Sequence, residues 1–227
     1  MAPPGSNRPI ALVTGANRGI GLALCRRLRD AGRDVIAACR QSSRALDGLG
    51  VRVEPGVDLT SDAAVATLAR RLGAVALAEL VCNAGILRDD TLDDLDLDSV
   101  REQLEVNSLA PLRLVTALRA NLAMGSKIAL ITSRMGSIGD NSSGGTYGYR
   151  MSKAALNAAG VSLAHDLKSS GIAVAIIHPG YVRTDMTENT GNVDPDDAAK
   201  QIVDRLDALT LDSSGTFWHA NGQTLPW

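Results

Sequence analysis

The sequence predicts an α/β fold: one doubly wound, mostly parallel sheet of about seven strands with helices on both faces. Three observations carry that expectation. The apolar runs are continuous rather than alternating, as in strands buried on both faces. Helical runs separate them, giving a βαβα order from end to end. At 227 residues the chain can fill one core well but is too short for two ordinary α/β domains.

The strand candidates are PIALVTG from Pro9, DVIAAC from Asp34, VRVE from Val51, ELVCN from Glu79, KIALITS from Lys127, IAVAIIH from Ile172 and TFWH from Thr216. Between them lie helical stretches such as LALCRRLRDAG, DAAVATLARRLG and SKAALNAAGVSLAHDLKSSG. Gly32 and Gly171 suit helix C-caps, and Thr60 and Ser61 suit an N-cap. Residues 1–8, with Pro3, Pro4 and Gly5, read as a tail, and residues 9–227 as one domain. The least regular stretches, 85–95, 136–146 and 186–195, all follow strands. Ligands of open parallel sheets bind at the carboxyl ends of strands, so these stretches are expected to wall a site.

Composition excludes several classes of function. Hydrophobic residues make up 45% of the chain and charged residues 21%, as in a folded enzyme. A net charge of -2 without a basic block recommends neither nucleic acid nor an anionic membrane as partner. No apolar run has the length of a membrane span, and the first residues lack the apolar core of a secretory signal. Cys25, Cys39 and Cys82 follow no zinc or redox spacing and read as small buried hydrophobes in a reducing, cytoplasmic setting. The acidic run 89–98, with carboxylates separated by leucines, reads as a solvated loop and helix start, so no metal is expected.

The first strand runs into Thr14-Gly15-Ala16-Asn17-Arg18-Gly19-Ile20-Gly21 and then a helix. Glycines there allow a tight turn and let backbone N–H groups approach a pyrophosphate at the helix N-terminus. Dinucleotide sites that hold an unphosphorylated ribose place an acid about 20 residues after the glycines. Here that position reads Cys39-Arg40-Gln41-Ser42-Ser43, while Asp34 precedes the strand on the wrong side of the sheet. Arg40 suits a 2′-phosphate, Arg18 can reach it from the glycine turn, and Ser42 and Ser43 add hydroxyl donors. NADP(H) is therefore the expected cofactor. Asp58, with Leu59 beside it, has two readings: an acceptor for the adenine amino group, or a turn or helix-capping aspartate.

Tyr149 and Lys153 are four residues apart at the start of a long helix, hence on one face. A free tyrosine has a pKa of about 10. A nearby ammonium stabilises phenolate and lowers that value, which suits reversible proton transfer. Pro111, four residues after Asn107, lacks the N–H that would bond the carbonyl of residue 107. The helix is expected to kink there, or a new helix to begin. Either way the freed carbonyl suits a bound water.

TGANRGIG from Thr14, Asn83-Ala84-Gly85, Asn107, ITS ending at Ser133, YRMSK from Tyr149 and Pro179-Gly180-Tyr181-Val182-Arg183-Thr184-Asp185-Met186 stand in this order. With them the sequence resembles the short-chain dehydrogenase/reductase family of Rossmann-fold oxidoreductases over nearly its whole length. The stretches SRMGS and GGTYGYRMSKAALN and the ending SGTFWHANGQTLPW resemble its C-factor-like and sniffer-like branch, which contains carbonyl reductases and a developmental signalling protein. The resemblance implies an NADPH-dependent reductase of an aldehyde or ketone. Tyr149 would be general acid, Lys153 would hold the nicotinamide ribose, Ser133 would orient the substrate oxygen and Asn107 would anchor a water. Asn83, Ala84 and Gly85 would support the adenine ribose. Pro179, Gly180, Val182, Thr184 and Met186 would line the nicotinamide.

Two departures stand out. The stretch from Ser133 to Tyr149 is longer than the family's usual gap. Ser137 fits that gap better, but Ser133 ends its strand, where a rigid scaffold can aim it, and is preferred. The segment after Met186 is short, which implies an open pocket or small substrates enclosed by the 136–146 loop. The different-class alternative is a cofactor-binding signalling protein with little turnover. A sugar-nucleotide epimerase is disfavoured because the chain leaves little room for a second domain. The alanine-rich helix 153–167 suits either a homodimer contact or burial against the sheet.

Overall fold

A computed structural model describes residues 8–227; of the 1–8 tail, residues 1–7 lie outside the described residues. The first half of the chain forms β1 (Ile10–Thr14), α1 (Gly19–Asp30), β2 (Asp34–Ala38), α2 (Arg44–Asp47), β3 (Arg52–Glu54), α3 (Asp62–Leu72) and β4 (Leu77–Cys82). There follow α4 (Leu97–Leu104), α5 (Ala110–Ala117), β5 (Leu122–Ile131), α6 (Tyr147–Lys168), β6 (Ala173–His178), α7 (Pro195–Ala208) and β7 (Phe217–His219). All seven strands join one sheet in the order β3-β2-β1-β4-β5-β6-β7, and every neighbouring pair is parallel. The strand order reverses direction between β1 and β4, which opens a crevice at their carboxyl ends.

The two faces of the sheet are packed differently. Ala11, Ala37, Ala129 and Ala175 lie in the cluster that receives Leu24 and Leu28 of α1 and Ile202 and Leu206 of α7. Leu12, Ile36, Leu80, Ile128 and Leu130 lie in the cluster with Leu68 of α3, Leu114 of α5 and Leu156 of α6. Small residues thus admit α1 and α7 closely, while the opposite face is filled by long side chains. Strand alternation produces the division, because successive side chains point to opposite faces.

Local chemistry fixes the helix ends. The Ser61 hydroxyl accepts from the Ala64 amide at 3.3 Å and caps α3, and the Asp96 carboxylate accepts from Asp98 at 2.9 Å and caps α4. Gly32 and Gly171, just beyond α1 and α6, take φ of +84° and +71°. The proline at 111 does not break the chain into separate helices. It is accommodated by a π-helical turn over Glu105–Leu109 that joins α4 to α5.

Some details differ from the sequence expectation. β4 begins at Leu77, just before its apolar run, and β5 at Leu122, well before its own. Ala123, Met124 and Gly125 are exposed, so no hydrophobic pattern marks this part of the strand. The seven strands are all parallel, in line with the mostly parallel sheet expected. Both edge strands, β3 and β7, are only three residues long. The chain after β7 folds back along it: the His219 amide donates to the Gln223 carbonyl at 2.8 Å and the Leu225 amide to the Phe217 carbonyl at 2.9 Å.

Gly160 of α6 faces β6 so closely that a Cβ there would lie 2.6 Å from Ile176 Cγ1. Gly160→Val should therefore destabilise the protein by about 1–3 kcal/mol through overpacking. Urea unfolding should show a lower midpoint at an unchanged slope.

Candidate active site

A cavity of about 950 Å³ opens along the carboxyl edge of the sheet. Its two ends have different chemistry. At the nucleotide end, Ile10 pairs with Asp34 and Thr14 with Ala38, so the glycine turn and Arg40 emerge side by side. Asp34 sits at the opposite edge. Asn83 locks the turn: its amide donates to Thr14 Oγ1 at 3.0 Å and its Nδ2 to the Thr14 carbonyl at 2.9 Å. A Cβ on Gly15 would stand 2.9 Å from Ala84 Cα, and one on Gly21 would stand 2.1 Å from the Gly15 carbonyl oxygen. Larger residues would force this turn open.

The start of α1 has no acidic residue in its first turn and no side-chain cap. Gly19 adopts φ +52°, and a Cβ there would stand 3.4 Å from Thr184 Cγ2. A bare helix N-terminus beside a glycine cradle fits a diphosphate. The surrounding side chains fit less uniformly. Arg40 lines the cavity, is exposed, and makes no ion pair among the described residues. Arg18 instead pairs with Asp185 at 2.9 Å. The serines expected as phosphate donors are engaged: Ser42 donates to Asp47, and Ser43 donates to the Asn17 carbonyl and caps α2. Asp58 forms a local turn, accepting from the Thr60 amide at 3.0 Å and hydroxyl at 2.8 Å. Those bonds hold its carboxyl below the usual range, helped weakly by Arg40 and Arg113. Asp58 and Leu59 nevertheless line the cavity.

At the other end Tyr149 and Lys153 are both buried, with Lys153 Nζ 5.6 Å from the Tyr149 ring centroid. Ser133 hydrogen-bonds the Tyr149 hydroxyl, a contact that favours the ionised phenol, yet burial dominates and pushes the phenol up to about 12. This is opposite to the lowering expected from the Tyr–Lys spacing. Desolvation outweighs the Ser133 hydrogen bond, and the lysine points its ammonium to the Ile131 carbonyl at 3.0 Å. The same burial pushes Lys153 down to about 8. Ser137 accepts from the Asp140 amide at 3.2 Å inside the loop.

Gly85 leaves room where Asn107 and Lys153 converge. A Cβ there would be 3.1 Å from Asn107 Oδ1 and 3.6 Å from Lys153 Nζ. The Asn107 side chain is fully used: Oδ1 accepts from the Ile86 amide, while Nδ2 donates to the Ile86 carbonyl and to Ser152 Oγ. His178 does not line the cavity; burial keeps it neutral, and it packs edge-on against His219.

Of the residues given catalytic or cofactor-binding roles from the sequence, Asn107, Ser133, Gly180 and Val182 do not line the cavity, nor do Ser42, Ser43 and Ser137, and the rest do. Ser133 still reaches it through Tyr149. Gly180 turns the chain at φ +94°, and Val182 is buried in a bridge to Val193. Sequence reasoning missed Thr132, Arg88 and Asn189 in the lining. It also missed the role of Thr14, whose hydroxyl receives both the Asn83 and Ala84 amides. Thr14 stands directly before the glycines, and Thr132 directly before Ser133, so strand-end position was the available signal.

The family model for the short chain dehydrogenases matches residues 9–194. The chain belongs to this family. A relative 44% identical over 222 residues is the 1-hydroxy-2-glutathionyl-2-methyl-3-butene dehydrogenase of Rhodococcus sp. (strain AD45), with 95% of this chain and 98% of that one covered. The C-signal of Myxococcus xanthus is 38% identical over 138 residues, covering 60% of this chain and 83% of its own. Among solved structures, the NADPH-bound carbonyl reductase from chicken fatty liver superposes with a TM-score of 0.87 at 30% identity, over 97% of this chain and all of that one.

The buried lysine makes stability depend on pH. Between about 8 and the ordinary 10.5, the unfolded chain retains a proton that folded Lys153 has released. Wild-type stability therefore gains from this residue as pH rises through that window. Lys153→Met lacks the effect. Urea titrations of the two proteins should show their difference moving in favour of wild type by on the order of 3 kcal/mol across the window.

Proposed function

We propose that the protein reduces an aldehyde or ketone to the alcohol with NADPH. The observation that carries this reading is the buried Ser133–Tyr149–Lys153 group at one end of a cavity whose other end is a glycine cradle on a helix N-terminus. When bound, the dinucleotide supplies a hydride. The chain's own residues do the rest. Ser133 Oγ holds the carbonyl oxygen of the substrate beside Tyr149. The Tyr149 hydroxyl, protonated throughout the neutral range, donates its proton to that oxygen. Lys153 holds a ribose hydroxyl and restores the proton. The glycine turn receives the diphosphate, and Arg40 the 2′-phosphate.

The name of the Rhodococcus relative describes a dehydrogenase acting on an alcohol that bears a glutathionyl group. A fair substrate panel therefore holds apolar aldehydes, ketones and glutathionyl alcohols, with NADP⁺ and NAD⁺ supplied in the oxidative direction. Steady NADPH consumption with a carbonyl supports the reading. Stoichiometric binding without turnover on the whole panel favours the signalling alternative.

Tyr149→Phe removes the proton donor and preserves the ring's packing. It should lower turnover by about 10²–10⁴-fold, with NADPH affinity by fluorescence titration nearly unchanged. Near-normal turnover would overturn the mechanism.

Arg40→Asp places a carboxylate where the 2′-phosphate would lie. Binding of NADPH should weaken and that of NADH improve. Equal or tighter binding of NADH by the unmodified protein would sink the cofactor assignment.

A further inference from the structure

Three successive amides at the start of α6 are taken by one residue from a distant loop. The Asp90 carbonyl accepts from the Thr146 amide at 2.8 Å, its Oδ1 from Tyr147 at 2.5 Å and its Oδ2 from Gly148 at 3.1 Å. Thr146, which precedes the helix, supplies no side-chain cap. It also sits at φ +49°, in the left-handed region that non-glycine residues seldom adopt. The local chain is thus poorly suited to starting the helix here. The carboxylate does so from outside and also meets the positive end of the helix dipole. Contrary to the sequence expectation for the acidic run, Asp90 is not solvated but buried.

Asp90 is itself held by a polar ladder. Asn107 accepts from the Ile86 amide and donates to the Ile86 carbonyl, both at 2.8 Å. Four residues earlier, Gln103 accepts from the Arg88 amide at 3.0 Å and donates to the Arg88 carbonyl at 3.3 Å. Two side-chain amides thus grip the peptides of Ile86 and Arg88, in the irregular segment that leads to Asp90. Gln103 is fully buried, and a Cβ on Gly148 would come within 2.5 Å of its Nε2.

We propose that Asp90 is a positioning residue for proton transfer. Its carboxylate, fixed through Gln103 and Asn107, sets the height and rotation of the first turn of α6 and so the place of the Tyr149 hydroxyl beside Ser133. This rests on the reading of Tyr149 as proton donor. A cap that served stability alone would leave turnover of the folded protein intact.

The test compares wild type, Asp90→Ala and Asp90→Asn, the last retaining one acceptor oxygen. For the alanine variant kcat should fall by on the order of 10²-fold, the scale of a small misplacement of a reacting group. NADPH affinity should stay within about twofold, since no part of the cradle depends on Asp90. Hydrogen exchange should quicken at the amides of residues 146–148, and Asp90→Asn should recover part of both losses. If the alanine variant does not fold, the asparagine variant carries the same readings at smaller size. Unchanged kcat in a folded variant, or kcat and NADPH affinity falling together, would overturn the proposal. A wild type without turnover on the whole panel would count against the proposed function instead. Ultraviolet titration of the Tyr149 phenol, identified by difference from Tyr149→Phe, then decides: a shift in Asp90→Ala sustains the positioning role, and an unmoved titration overturns it.

Discussion

An ammonium buried without a carboxylate is the constraint around which this chain is arranged. Lys153 is 4% exposed, forms no ion pair among the described residues and donates to a single backbone carbonyl, that of Ile131. Such a group is costly to keep inside a protein, and only a rigid surround holds it. The surround is visible in the glycines. At Gly136 a Cβ would fall 2.7 Å from the Lys153 carbonyl carbon, so the loop after β5 lies directly on the backbone of α6. Gly85 clears the space beside the ammonium, and Gly160 lets the same helix down onto β6. The position of one side chain is thereby specified by three separate close approaches of backbone.

Charges around the cavity are disposed unevenly. Asp185 is tied to Arg18, Glu105 to Arg113, and Asp58 to the Thr60 turn. Glu102 is the carboxylate of the lining left without such a partner among the described residues. Arg40 and Arg88 line the same cavity unpaired. The field at the mouth therefore favours a polyanion, because Asp185 and Glu105 are already neutralised at short range while two guanidinium groups stay uncommitted.

What was legible in the sequence follows from how far each signal reaches. Continuous apolar runs recorded burial on both faces, and that is a property of each strand alone; hence the sheet and its order of elements were readable. The glycine turn and the Tyr–Lys pair are likewise local, since their spacing already fixes their geometry. Asp90 was misread because its partners are the amides of residues 146–148, far along the chain, and an acid among acids looks solvated until the fold brings a helix end to it. Gln103 left a faint trace: it is polar on the face that Asn107 shares, one turn away. The direction of the tyrosine shift was missed for the same reason. Spacing reveals a neighbour's charge, but desolvation depends on everything packed around the pair.

The edges of the sheet bear on how this protein behaves in a crowded solution. A parallel sheet this wide ends in two rows of unpaired backbone groups, and a long flat row is a template for joining another chain. Here each border is a strand of three residues. On the β7 side the following segment turns back, with Trp218 bridged antiparallel to Thr224, and occupies the outer hydrogen-bonding positions. A hydrophobic interior of seven strands is thus enclosed with little open β-edge left to recruit a neighbour into an aggregate.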